Sequence, residues 1–151
     1  MLTIRSCCIA VLMSCFGFAA QASVIQAVSC SSTDVQNAIN TAANGDSVAL
    51  PSGCSSTWNA TVSIPGTKGL TLIGNGANIA RGNLADRVAA IALSVNGSTG
   101  SRITGFSFSD GKAIANGTFI SVAGGNESSA KFRIDHCSFV GNDVGVHIKT
   151  E

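Results

Sequence analysis

Charge is scarce in this sequence, with nine Lys or Arg and eight Asp or Glu among 151 residues. One of the nine, Arg5, belongs to an expected leader, so the remainder carries eight basic and eight acidic residues and no net charge. A neutral chain lacks the electrostatic footprint of a nucleic-acid or anionic-membrane binder. It leaves a polysaccharide partner open. Lys, Glu and Leu are sparse after residue 22, which argues against a helical domain. No later stretch approaches the about 20 apolar residues of a membrane span, and the cysteine spacings fit no zinc site.

What is present begins as an export signal. Arg5 gives a short positive start, Cys7 to Ala20 form an uncharged apolar run, and Ala20-Gln21-Ala22 supplies a small-x-small cleavage pattern. Residues 1–22 are therefore expected to be removed, leaving Ser23 first. A lipoprotein would be cut before Cys15, but Leu12-Met13-Ser14 is a poor lead-in. The expected location is secreted: extracellular, periplasmic or at the cell surface, with no membrane span after cleavage.

Residues 23–151 suffice for one domain with a real core. They are rich in Gly, Ser, Thr, Asn, Val and Ile, a composition of strands and tight turns. Three cysteines stay after the leader. In an oxidising compartment Cys30 and Cys54 can pair, closing a loop whose entropy is worth roughly 3 kcal/mol. Cys137 is then odd, either a buried thiol or one whose partner lies beyond Glu151.

One helix is well marked. Thr33-Asp34-Val35-Gln36 reads as a capping box, and Val35, Ala38, Ile39 and Ala42 form one apolar stripe. Asn44-Gly45 reads as its stop, giving a helix over Thr33–Ala43. Short strands follow: Ser47–Leu50, Ala60–Ile64, Leu70–Ile73, Ile91–Val95, Ile103–Phe108, Thr118–Val122 and Phe132–Phe139, each ended by turn chemistry. Arg102–Phe108 matches Arg133–Phe139 with a period of 31, and Gly117–Ile120 matches Gly145–Ile148 with a period of 28. Two matches at nearly one period predict stacked coils of three short strands, with Ile103 over Ile134 and Phe108 over Phe139.

The runs Thr33–Ile39, Gly45–Gly53 and Gly69–Gly76 resemble the entry of the pectate-lyase-like superfamily of right-handed parallel β-helices. The resemblance implies an all-β fold, a right-handed parallel β-helix (a solenoid with three short strands per coil), with an N-terminal capping α-helix over its first coil. His147–Glu151 reads as a strand in progress, so residues 23–151 are expected to be the N-terminal part of a longer β-helix domain, a fragment.

Function is expected to be action on, or binding of, an extracellular polysaccharide. The enzymatic version is a polysaccharide lyase or a glycoside hydrolase; the alternative is a non-catalytic adhesion module for cell-surface glycans. Ile134-Asp135-His136 is similar to a stretch in some pectate lyases, although Arg133 stands where an aromatic residue usually precedes it. It makes Arg133, Asp135 and His136 the catalytic candidates. Lyase chemistry needs carboxylates that hold Ca2+ and a base for the proton beside the uronate. Asp110, Asp135 and Asp143 are the candidate metal ligands; no other cofactor is evident. Arg102, equivalent to Arg133 in the repeat, is a candidate clamp for acidic sugars. Trp58, the one tryptophan, is a candidate sugar-stacking platform. Each has a structural alternative: solvated strand-end charges for the arginines, and packing beside Cys54 for Trp58.

Overall fold

The computed structural model describes residues 21–95, 100–110, 117–124, 131–141 and 144–150. The expected leader, apart from its last two residues, therefore lies outside the described residues, as do Asp143 and Glu151. After a short strand β1 (Val24–Gln26) comes the one helix, α1 (Ser32–Thr41). It starts earlier than expected. The cap is Ser31, whose hydroxyl accepts the Asp34 N–H at 3.1 Å, and the Ser29 hydroxyl donates to the Asp34 carboxylate. Ser31-x-x-Asp34 offers the same chemistry as the box read at Thr33 and is placed to close the first turn. The helix ends at Ala42, whose N–H bonds Ala38, before Gly45 is reached. Gln36 bonds both the N–H and the C=O of Ser63 (2.7 and 3.2 Å), and Lys68 Nζ caps the C-terminal carbonyls of Ile39 and Asn40 (3.1 and 3.0 Å). Val35, Ala38 and Ile39 turn inward as the stripe predicts.

Ten strands follow: β2 (Ser47–Ala49), β3 (Ser55–Trp58), β4 (Val62–Ile64), β5 (Thr71–Arg81), β6 (Ala89–Val95), β7 (Ser101–Asp110), β8 (Thr118–Gly124), β9 (Phe132–Asp135), β10 (Ser138–Val140) and β11 (Val144–Thr150). They form two sheets. The seven-stranded sheet runs β1-β2-β5-β7-β10, with β3 beside β5 and β9 beside β7. The four-stranded sheet runs β11-β8-β6-β4. Every pairing is parallel, and from β4 to β8 the chain alternates between the sheets.

This overturns the expected right-handed β-helix with three short strands per coil: the strands assemble into two parallel sheets of seven and four strands. The reason lies at Gly74-Asn75-Gly76, read from the sequence as a stop. The chain bends there without ending the strand. Asn75 and Gly76 take left-handed φ values of 52° and 77°, the register shifts between Ile73 and Ala77, and Asn75 Nδ2 donates to the Leu50 carbonyl at 2.8 Å. The next strand bends beside it at Gly105, φ 76°. The strand expected to end at Ile73 thus runs on through the bend to Arg81 in β5, and β7 likewise continues through Gly105 to Asp110. Gly74 lets the bends nest, because a Cβ there would lie 2.4 Å from the Gly105 carbonyl oxygen.

The registers place the core. Arg102 pairs with Arg133, Ile103 with Ile134 and Phe108 with Phe139, in the register the 31-residue similarity predicts. The 28-residue match does not set the pairing of β8 with β11. Thr118 pairs with Val144 and Ile120 with Val146, a slip of two residues from the predicted alignment. A slip of two keeps each side chain on its own face. Inward columns such as Val48–Leu72–Ile103 and Val62–Ile91–Ile120 are fully buried. A ring stack joins Phe106, Phe108 and Phe139, with Phe108 and Phe139 centroids 5.5 Å apart at 8°.

Two further features fasten the periphery. Cys30 and Cys54 form a disulfide, and Trp58 beside it is wholly buried with its indole N–H on the Cys30 carbonyl at 2.7 Å. Arg81, also buried, donates to the carbonyls of Ala85 (2.7 Å), Val88 (3.0 Å) and Leu84 (3.3 Å), shaping the loop before β6. Among the described residues no helix is long and apolar enough to cross a membrane.

Three substitutions probe these points in denaturant unfolding with the disulfide intact. Trp58→Phe strands the Cys30 carbonyl and is expected to lose about 1–3 kcal/mol, whereas Trp58→Ala loses about 3–5 kcal/mol. Gly74→Ala is expected to lose about 1–3 kcal/mol by overpacking the nested bends. A fully stable Gly74→Ala protein would show that the two bends do not need their close approach.

Candidate functional site

The sequence candidates converge around one carboxylate. Arg102 on β7 and Arg133 on β9 are register partners, so the two residues stand on neighbouring strands about 4.8 Å apart. Asp135, two residues beyond Arg133 and on the same face, pairs in register with Thr104. Its carboxylate accepts from Arg102 Nε at 3.2 Å to each oxygen and from Arg102 Nη2 at 3.0 Å. Arg133 Nε forms a second ion pair with it, and His136 Nδ1 lies 3.3 Å away. The Thr104 hydroxyl, then the Arg102 guanidinium, hold the Asp135 carboxyl well below the usual carboxylate range.

This geometry bears on the parts of the catalytic and metal readings that rest on Asp135. Asp135 is nearly enclosed, with 14% of its side chain exposed, and both oxygens serve the two arginines. A carboxylate so stabilised is a poor proton acceptor. Calcium would have to displace both guanidinium groups, so the residues present do not fit it. Asp110 lies six positions past Thr104 on β7, beyond the Gly105 bend, and joins no metal set with Asp135. Among the described residues no three metal-ligating side chains gather in one place. His136 is three-quarters exposed, at a left-handed φ of 50° where the β9–β10 ladder breaks. Arg133 keeps 67% of its side chain exposed and Arg102 40%, so the cluster presents cations around a neutralised centre. Trp58, proposed from sequence as a stacking platform, is 0% exposed and has no ring face for a sugar. Cys137 is a half-buried free thiol whose pKa burial pushes up.

Sequence reasoning missed two surface features. The first is a polar ladder on the larger sheet. Ser55, Asn78, Ser107 and Ser138 are successive register partners on β3, β5, β7 and β10. They face outward, because the next residues along, Ile79 and Phe108, are buried. Thr57, Ala80 and Ser109 form the neighbouring row and, with Ser55 and Asn78 of the ladder, line a shallow groove of about 460 Å3. The signal for it was the run Ser55-Ser56-Thr57, too polar to read as a strand. The second is a cleft of about 370 Å3 on the smaller sheet, where Arg87, His147 and Lys149 stand with Thr118 and Val144. Arg87 has a left-handed φ of 59° at the end of the loop that Arg81 shapes. No spacing in the sequence brings Arg87 to His147 and Lys149; only the sheet order does.

Comparison with family models, with curated proteins and with solved structures gives no match, so family membership contributes nothing to the reading of these sites.

The lowered Asp135 value has a pH consequence. A depressed folded pKa stabilises fully above the unfolded value, about 3.9, and the contribution fades as pH falls through the folded value. Asp135→Asn, which leaves Arg102 and Arg133 facing each other, is expected to be less stable than the parent protein at pH 7. The gap should narrow steadily below about pH 4. A gap of the same size at pH 7 and pH 3 in parallel urea titrations would show that the cluster does not depend on the Asp135 charge.

Proposed function

We propose that this chain is exported and binds an extracellular polysaccharide along the outward face of its larger sheet, without cleaving it. The carrying observation is the Ser55–Asn78–Ser107–Ser138 ladder. It sets hydroxyl and amide groups at the strand spacing of about 4.8 Å across one outward face, and its Ser55 and Asn78 line a neutral groove. Hydroxyls and carboxamides both donate and accept hydrogen bonds, as sugar hydroxyls do. A row repeated from strand to strand suits a repeating ligand better than a compact one. Backbone pairing fixes the spacing, so little side-chain order is lost on binding.

Two observations support the polymer over a catalytic reading. Asp135, the carboxylate nearest to lyase chemistry, is committed to Arg102 and Arg133. The exposed guanidinium groups of the same cluster lie on β7 and β9, across the Gly105 bend from the ladder, where they can meet acidic sugars. With no aromatic ring on the groove, affinity rests on hydrogen bonds, and about millimolar dissociation per short oligosaccharide is expected.

The test is a glycan-array and affinity-electrophoresis survey with the full chain and two variants. Ser109→Lys, which fills the groove, and Asn78→Ala are expected to weaken retention by the bound polysaccharide while leaving the unfolding midpoint nearly unchanged. Silence of the folded parent protein against neutral and acidic glycans alike would overturn the reading. Incubation with polygalacturonate and calcium is expected to release no unsaturated product, and its appearance would restore a lyase.

A further inference from the structure

Asp46 is an odd place for a carboxylate. It is 93% buried by its 7% exposure, at the turn between α1 and β2. Its Oδ2 accepts the Ala43 N–H at 2.7 Å and its Oδ1 accepts the Ser23 N–H at 2.8 Å. Both donors are neutral backbone groups, and they hold its pKa below the ordinary range, Ser23 most of all. The cation that influences it, Lys68, has its ammonium on the Ile39 and Asn40 carbonyls. A nearly buried negative charge is costly without a cation close by.

Ser23 is also the residue that directly follows the small-x-small pattern Ala20-Gln21-Ala22. Gln21 and Ala22 are exposed and belong to no helix or strand, so the Ala22–Ser23 bond is open to a protease. From Ser23 onward the chain is committed: the Ser23 carbonyl accepts from Ser47 N–H at 2.8 Å, and Val24 pairs with Ser47 as β1 joins β2. The boundary between free and paired backbone falls at one peptide bond, and the carboxylate sits on its nitrogen.

We infer that Ala22–Ser23 is the processing site and that the α-ammonium released there becomes the counter-ion of Asp46, clasping β1 to the turn after α1. The inference rests on the export reading above. In the step a signal endopeptidase adds water across the amide: the hydroxyl goes to the Ala22 carbonyl carbon, the C–N bond breaks, and the nitrogen leaves protonated. Before cleavage that nitrogen offers Asp46 one amide proton. Afterwards it offers up to three and a full positive charge, converting a neutral donor into a charge-assisted bond. The uncut chain therefore holds its first strand less firmly than the mature one. Trimming removes the leader and tightens the fold in one event.

The experiment starts from the full chain expressed with its own leader in an exporting bacterial host. N-terminal sequencing and intact mass of the exported protein are expected to give Ser23; any other first residue overturns the processing assignment. Three forms are then compared in denaturant: the mature protein, a form retaining Gln21-Ala22, and the mature protein acetylated at its α-amine. The mature form is expected to have an unfolding equilibrium constant about ten-fold smaller than either of the others. Asp46→Asn is expected to abolish that difference. Equal stability of the mature and acetylated proteins would overturn the clasp, and it does so even where Asp46→Asn fails to fold. Glycan binding is read separately, so a protein that binds no sugar but shows both results leaves the clasp standing and sinks only the ligand.

Discussion

The close seating of Gly74 on the carbonyl of Gly105 is the contact on which the larger sheet depends. Each of β5 and β7 must bend in mid-strand, and bends in neighbouring strands can stay hydrogen-bonded only if they nest. A side chain between them would push the strands past their pairing distance. With the bends nested, the two halves of each strand remain one ladder. The first half carries the Arg102 face and the second carries the Asn78–Ser107 row. The charged cluster and the neutral groove are thus held on one continuous strand pair, divided by a corner. The same corner recurs at His136, where a bulkier residue takes the left-handed conformation and the ladder parts into β9 and β10.

Burial of charge follows a consistent logic. The sequence has few ionisable groups, and several of the most enclosed are occupied by backbone. Arg81 gathers the carbonyls of a loop, Lys68 the carbonyls ending a helix, and Asp46 the N–H groups at the turn. These groups fix the course of irregular segments, which have no ladder of their own to satisfy them. The Asp135 cluster differs in kind. Its charges meet other charges at the surface, and two arginines side by side would repel without the carboxylate between them.

Much of the fold was legible because periodicity reports which face is buried. The helix stripe at Val35, Ala38 and Ile39 and the pairing of Arg102–Phe108 with Arg133–Phe139 both follow from it. The β-helix expectation failed at Gly74-Asn75-Gly76 because left-handed residues make a strand bend by the same means as they make it stop. The cap moved to Ser31 because two overlapping cap signatures occur within three residues. β3 was hidden by polarity: Ser55-Ser56-Thr57 has no apolar alternation, yet Trp58 anchors it. The candidate site was half legible. Similarity placed Arg102 and Arg133 together, but the role of Asp135 as their shared counter-ion needs the register of Thr104 and Asp135. Trp58 was left between sugar platform and packing beside Cys54, because a lone tryptophan carries no sign of which side of the sheet it faces; its burial gives the packing.

The Phe106–Phe108–Phe139 stack and the columns beside it also dictate how the molecule answers mechanical load. Within each sheet the later strands lie in chain order, β6-β8-β11 in one and β5-β7-β10 in the other. Each is bonded mainly to the strands just before and after it. Tension on β11 would therefore peel strands away one layer at a time, breaking few bonds at each step, as a tape leaves its roll. Peeling would proceed inward through the ring stack to β3 and stop at Cys54, whose covalent link to Cys30 no such pull can open. The disulfide, placed at the first layers, marks the end of the tape that stays attached.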